Sequence, residues 1–263
     1  MHLVVSLTTT PSRIAAIGAA LRSVLAQTLR PARVHLYVPE TCCRTRERYV
    51  LPDWLTRLAA ASDIFEITRV DEDVGPATKL LPSLSRYTRA DTRLITVDDD
   101  VILEPHTFEE LVAASLKDPS GVYGMMGVAS DGRFVHAEWV GAWGMERCPV
   151  TVLGGYRSIL YPRAAWDDSI RDDYRGITAA VHPFLSDDHL FAWNLLRRHV
   201  PCWVVATRYP RTRPDRYEPL SCLNMALLDL PGALNGSERA RTAGSIEALR
   251  AYYAQRGWLT TID

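Results

Sequence analysis

Asp98-Asp99-Asp100 is the stretch of this chain best equipped to do chemistry. It closes an apolar run, Ile95-Thr96-Val97, and a second run, Val101-Ile102-Leu103, follows before Glu104-Pro105 stops it. One carboxylate at the end of a buried strand is costly and three repel one another, so a fold keeps them where a cation offsets the charge. Oxygen-only ligands at this spacing suit Mg²⁺ or Mn²⁺. Such ions bind through one or two carboxylates and leave positions for water and phosphate oxygens. The plainer alternative is an acid-rich loop ahead of a helix that begins near Pro105.

Three further groups carry chemistry-bearing side chains. Ser186-Asp187-Asp188-His189 precedes an apolar stretch that ends in Arg197-Arg198, so Ser186 is an expected N-cap with two acids in the first helical turn. Capping alone would explain those acids; proton transfer is the sharper alternative. Lys79 is one of only two lysines among 30 Lys and Arg residues. It follows Asp71-Glu72-Asp73-Val74-Gly75-Pro76, where Gly75-Pro76 sets a turn, and it suits either a phosphate-binding point charge or a solvated surface. Trp139, Trp143 and Tyr156 lie among Gly141, Gly144, Gly154 and Gly155, a mixture that serves a sugar-stacking surface or a core.

Alternating strands and helices must position these groups. His2–Thr8, Arg33–Val38, Ile64–Val70 and Arg93–Val97 are apolar, β-branched runs. Between them, Ile14, Ile17, Leu21, Val24 and Leu25 recur at helical spacing, a helical stretch broken at Pro52 runs to about Ala61, and Leu80–Tyr87 is weakly helical. This alternation predicts a largely parallel sheet covered by helices, with ligands at the carboxyl ends of the strands. The second half predicts a helix over Thr107–Lys117, short strands over Val122–Val128, Arg133–Val140, Val150–Leu153 and Ser158–Tyr161, and a last strand over Cys202–Thr207. A basic loop, Arg208–Arg216, and a final helix, Glu238–Arg256 after Asn235-Gly236-Ser237, complete it. The expected fold class is therefore α/β, a mostly parallel sheet with a mixed or antiparallel extension.

Composition narrows the function classes. The 263 residues are 47% hydrophobic, enough for a substantial core, and a formal charge of −1 leaves no electrostatic footprint for nucleic acid. No apolar run approaches the roughly 20 residues of a membrane span, and the first residues lack the basic start of a signal peptide, so the expected location is the cytoplasm. Five cysteines without a Cys-x-x-Cys spacing indicate reduced thiols.

Taken together, these residues resemble a GT-A type glycosyltransferase, most like the inverting family-2 enzymes. The resemblance runs over roughly residues 2 to 206. It rests on the hydroxyl-rich opening Ser6-Leu7-Thr8-Thr9-Thr10-Pro11-Ser12-Arg13, on the Asp-x-Asp motif Asp98-Asp99-Asp100 with Pro105, and on the paired acids Asp187-Asp188, where the usual pair is Glu-Asp. It implies a single GT-A domain over 1–263: a nucleotide-sugar-binding half, 1–105, and an acceptor half, 106–263. Thr8, Thr9, Arg13, Asp71, Lys79, Asp98 and Asp99 would bind the donor, and Trp139, Gly154, Gly155 and Tyr156 the acceptor. Asp100 would be the direct ligand of Mn²⁺ or Mg²⁺, with Asp98 bound through water or holding the ribose. Glu40 is the available match to the acid that reads uracil after the second strand. His189 and His199 are positional candidates for a further metal ligand.

The implied reaction is metal-dependent transfer from a nucleotide-diphosphate sugar to a hydroxyl of a carbohydrate or glycolipid acceptor, in polysaccharide or glycoconjugate synthesis. Asp188 would take the hydroxyl proton, Asp187 would position it, and one displacement would invert the anomeric centre. A lipid-borne acceptor would be met by peripheral contact with a membrane. Three rivals fit less well. A sugar-nucleotide nucleotidyltransferase would open with a glycine-rich loop where Thr8-Thr9-Thr10-Pro11 has no glycine. An aspartate-nucleophile phosphatase would place its acids after the first strand. A non-catalytic sugar- or nucleotide-binding module would use Asp187 and Asp188 as caps only.

Overall fold

The strands, in chain order, are β1 (His2–Thr8), β2 (Arg33–Pro39), β3 (Phe65–Val70), β4 (Thr92–Thr96), β5 (Val122–Gly124), β6 (Met126–Val128), β7 (Phe134–His136), β8 (Arg147–Val150), β9 (Val152–Leu153), β10 (Ile159–Pro162) and β11 (Cys202–Val205). The helices are α1 (Gly18–Leu25), α2 (Asp53–Ala61), α3 (Leu81–Arg86), α4 (Thr107–Lys117), α5 (Ala137–Ala142), α6 (Ser169–Ala180) and α7 (Asp187–Arg197). This computed structural model describes residues 1–180, 187–208 and 254–255; at Tyr156 and 177–180 it describes the backbone alone. Ser186, Cys222, Asn235–Ser237, most of Arg208–Arg216 and most of the expected final helix fall outside the described residues.

Eight strands form one sheet in the order β3-β2-β1-β4-β10-β5-β11-β8. β3, β2, β1 and β4 are mutually parallel, with Ser6 level with both His35 and Thr96. Leu3, Val4, Val5, Ser6 and Leu7 are consecutive and all buried, as a central parallel strand covered on both faces requires. β10 then runs antiparallel to β4 with Ile159 opposite Thr96, so the start of β10 stands beside the carboxyl end of β4. That reversal carries Gly154 and Gly155 to the acids. β7, β6 and β9 make a small antiparallel sheet. The architecture is the expected α/β one, a mostly parallel sheet with an antiparallel extension.

Several element boundaries differ from those the sequence predicts. The Val122–Val128 run divides at Met125 into β5 of the large sheet and β6 of the small one. Gly127 permits this, since a Cβ there would lie 2.6 Å from the Val152 carbonyl oxygen of β9. Arg133–Val140 is not one strand: after His136 the chain turns into α5. Its first turn places Glu138 against Arg157 at 2.6 Å, a buried long-range ion pair that overrides the β-like local sequence. The first helix begins later than the apolar spacing suggests, because Thr10 O accepts the Arg13 and Ile14 amides and holds residues 11–17 as turns. α6 was not expected; Asp167 starts it by accepting the Ser169 amide at 3.0 Å and its hydroxyl at 2.5 Å.

Candidate functional site

The strand order runs from β1 to β2 and β3 on one side and to β4 on the other, so the connections diverge between β1 and β4. In open α/β sheets that divergence opens a crevice beyond the carboxyl ends. Thr8-Thr9 leaves β1 there, and Asp98-Asp99-Asp100 leaves β4.

Two cations of the chain itself hold the acids. Lys79 Nζ donates to Asp98 Oδ1 at 2.7 Å and stands 2.9 Å from Asp187 Oδ2. Its side chain is only 6% exposed, which makes it a buried bridge between the two acidic motifs and not a solvated surface lysine. The placement comes from a 3₁₀ turn, Gly75–Lys79, which opens at φ +62° on Gly75, a conformation suited to glycine. Asp73 accepts the Gly75 amide at 2.8 Å, and Ser6 Oγ donates to the Lys79 carbonyl at 2.5 Å, tying the turn to β1.

Arg13 is the second cation. Its Nη2 lies 2.5 Å from Asp99 Oδ1 and 2.8 Å from Asp100 Oδ2. Thr9 Oγ1 donates to the other oxygen of Asp99 at 2.5 Å, so the middle acid of the triplet is turned inward. Thr9 is itself fixed by Tyr49, whose hydroxyl donates to the Thr9 carbonyl at 2.8 Å. Thr8 Oγ1 donates to the Tyr37 carbonyl at 2.9 Å, bracing β1 on β2.

The first turn of α7 completes the cluster. Asp187 is buried, and Asp188 Oδ1 accepts the Gly155 amide at 2.9 Å. A Cβ on Gly155 would lie 2.9 Å from both Asp188 Oδ1 and Lys79 Nζ, so a larger residue would have to displace one of these two charged side chains. Gly154 abuts the flexible Met126 side chain instead. Trp139 of α5 sits edge-on to His136 at 4.4 Å, with Trp143 at 6.5 Å; these aromatics belong to the small-sheet side and not to the acid cluster.

Charge in this cluster is strongly perturbed. Burial disfavours ionised Asp188 and neighbouring Asp187 adds repulsion; against the pull of Lys79 they push the carboxyl up to about 8. Burial likewise raises Asp99 to about 6, opposed by Arg13. Asp100 is raised by burial and by Asp98. Burial works against the Lys79 ammonium, but Asp187 and Asp98 outweigh it and hold its pKa well above the ordinary lysine value.

The donor set fits a divalent cation. Five carboxylates, at 98, 99, 100, 187 and 188, face two side-chain cations, and Arg13 Nη2 and Asp187 Oδ2 are buried without a well-directed hydrogen bond. Asp98 commits Oδ1 to Lys79 and Asp100 commits Oδ2 to Arg13, which leaves each a second oxygen. The described residues contain no preformed cluster of three or more metal-ligating side chains, so such an ion would draw its remaining ligands from water and substrate.

Two of the solved structures on which the chain superposes are informative. One is GalNAc-T7 with UDP, GalNAc and Mn²⁺, at a TM-score of 0.53 and 11% identity over 78% of this chain. The other is S. aureus TarS, at a TM-score of 0.50 and 14% identity over 79%. The fold is GT-A. This chain spans 42% of the length of GalNAc-T7 and 36% of that of TarS. No protein-family model matches the sequence, and neither does any curated protein. The GT-A crevice of this chain brings together Thr9, Arg13, Lys79, Asp98, Asp99, Asp100, Gly155, Asp187 and Asp188.

Other expected site residues stand apart from that GT-A crevice. Asp71 lines a different cleft, at the end of β3, and Glu40 is exposed and paired with Arg48. His199 is exposed at a φ of +54°. Tyr49 and Asp73 buttress the site without having been assigned a role from the sequence; Tyr49 lies in the loop that follows β2, and Asp73 stands two residues before Gly75. No helix among the described residues is long and apolar enough to cross a membrane.

Proposed function

We propose that this chain is a glycosyltransferase that moves a sugar from a nucleotide-diphosphate sugar to an acceptor hydroxyl with inversion. One observation carries the proposal: Lys79 and Gly155 join the first turn of α7 to the acids at the end of β4, setting Asp188 beside a crevice whose carboxylates outnumber its cations. Mn²⁺, which accompanies UDP in the GalNAc-T7 structure, or Mg²⁺ would be held by Asp100 and Asp98 and would supply neutralising charge for the nucleoside diphosphate as it leaves.

The side chains divide the remaining work. Thr8 and Thr9 border the crevice at the end of β1, where the nucleoside would lie. Arg13 and Lys79 supply positive charge for the diphosphate. Asp188, in its ionised form, takes the proton of the attacking acceptor hydroxyl. Gly155, through its amide, orients that carboxylate, and Asp187 keeps Lys79 in place. Trp139, on the small-sheet side, would serve an acceptor that reaches beyond the acid cluster, and the backbone at Gly154, Gly155 and Tyr156 would border the crevice itself.

The test is a thermal-shift panel of nucleoside diphosphates and nucleotide sugars, with and without Mn²⁺, on the wild type and Asp100→Ala. A ligand at a hundred times its dissociation constant adds about 2.7 kcal/mol. Metal-dependent stabilisation by one nucleotide, lost in Asp100→Ala, is the expected result. No response from the folded protein to any nucleotide would overturn the proposal.

A further inference from the structure

A second cleft, of about 540 Å³, opens beside β3 between α3 and α6. That volume falls in the range of small-molecule sites, and none of the crevice acids lines it. Four arginines do: Arg69 at the end of β3, Arg86 at the end of α3, and Arg171 and Arg175 on α6, against the acids Asp71 and Glu72.

The native contacts leave part of this positive charge available, chiefly at Arg171. Arg69 gives one N–H to the Pro39 carbonyl at 3.1 Å, Arg86 reaches Glu66 at 3.3 Å, and Arg175 is paired, with Glu72 among its partners. The Arg171 guanidinium has no hydrogen bond or ion pair among the described residues. Arg171 and Arg175 are four residues apart on one helix, a spacing at which like charges repel. An anion between them would relieve that repulsion and give Arg171 a forked, charge-assisted contact.

We propose that this cleft binds a phosphorylated sugar unit. Arg171, Arg175, Arg69 and Arg86 hold the phosphate, and the Asp71 and Glu72 carboxylates accept hydrogen bonds from neighbouring hydroxyls. The site is separate from the acid crevice and stands without the transferase proposal. Its phosphate has two possible sources: a free sugar phosphate or nucleotide, or a phosphodiester-linked acceptor chain.

The test is titration calorimetry of the full chain with inorganic pyrophosphate in EDTA, where no metal can recruit the probe to the acid crevice. The wild type is expected to bind, more weakly as salt rises. Arg171→Gln/Arg175→Gln and, independently, Ser85→Glu, which sets a negative charge in the cleft, are each expected to weaken binding at least tenfold. All three replaced residues are exposed, so the variants keep the fold. Displacement of pyrophosphate by a nucleoside diphosphate or by a phosphodiester-linked sugar oligomer supports the site and names the source. No binding to the wild type, or undiminished binding to both variants, overturns it. Because metal is excluded, that failure would leave Mn²⁺-dependent nucleotide stabilisation untouched.

Discussion

Asp98 and Asp187 share one ammonium group: Lys79 Nζ lies 2.7 Å from the first and 2.9 Å from the second. A strand end and a helix start far apart in the chain are thus joined through a buried charge. Removing one partner of such a pair strands the others and costs about 3–5 kcal/mol. Lys79→Met is therefore expected to lose about 3 kcal/mol of stability, read from the midpoint of urea unfolding at unchanged slope. A loss below about 1 kcal/mol would mean the bridge is not holding the two motifs together.

Asp188 is expected to reduce stability in the empty protein. Its carboxyl is pushed up to about 8, whereas an unfolded aspartate ionises near 3.9. Between those values the folded chain holds a proton that the unfolded chain has released, so the Asp188 contribution to stability falls as pH rises through this window and levels off above about 8. Asp188→Asn removes the penalty and keeps the oxygen that accepts the Gly155 amide. The melting-temperature advantage of the variant should therefore grow from pH 5 to pH 8.5; a constant difference would contradict the assignment.

If Asp188 is the proton acceptor of the proposed transfer, the same ionisation acts on catalysis with the opposite consequence for the wild type. A proton acceptor must be deprotonated, so kcat/KM for sugar transfer is expected to rise with pH along a limb centred near 8. Asp188→Asn should cost about 10²- to 10⁴-fold in rate, the usual range for a positioned general base. Full activity in Asp188→Asn would reduce the residue to a helix-capping acid.

Gly155 and Gly154 are adjacent and should respond differently to alanine. At Gly155 the added methyl meets Asp188 Oδ1 and Lys79 Nζ, both at 2.9 Å; at Gly154 it meets the Met126 side chain at 3.2 Å. A displacement on the order of 1 Å at a reacting centre costs about 10²-fold in rate. Gly155→Ala is accordingly expected to lose about that much kcat while remaining folded, and Gly154→Ala to lose little. Circular dichroism with steady-state kinetics on both variants decides; equal losses would remove the special role given to Gly155.

The acid triplet, the paired acids and the four parallel strands were legible in the sequence because each rests on a local signal. Apolar β-branched runs mark strands covered on both faces, and three adjacent acids at the end of such a run are conspicuous wherever they fold. The later boundaries were not legible for the complementary reason. α5 begins where Glu138 finds Arg157, and β5 parts from β6 where Gly127 admits the Val152 carbonyl, contacts with no trace in nearby sequence. Lys79 shows the division most clearly. Its rarity in an arginine-rich chain drew attention to it, but composition is equally compatible with a solvated surface lysine. Burial between Asp98 and Asp187 is a property of the assembled sheet, because only the parallel β1–β4 pairing, the Ser6 contact to the Lys79 carbonyl and the antiparallel return of β10 bring all three charges to one point. The sequence by itself determined which elements carry charge; the tertiary structure decided which charges meet, since electrostatic coupling depends on distance and burial and not on order along the chain.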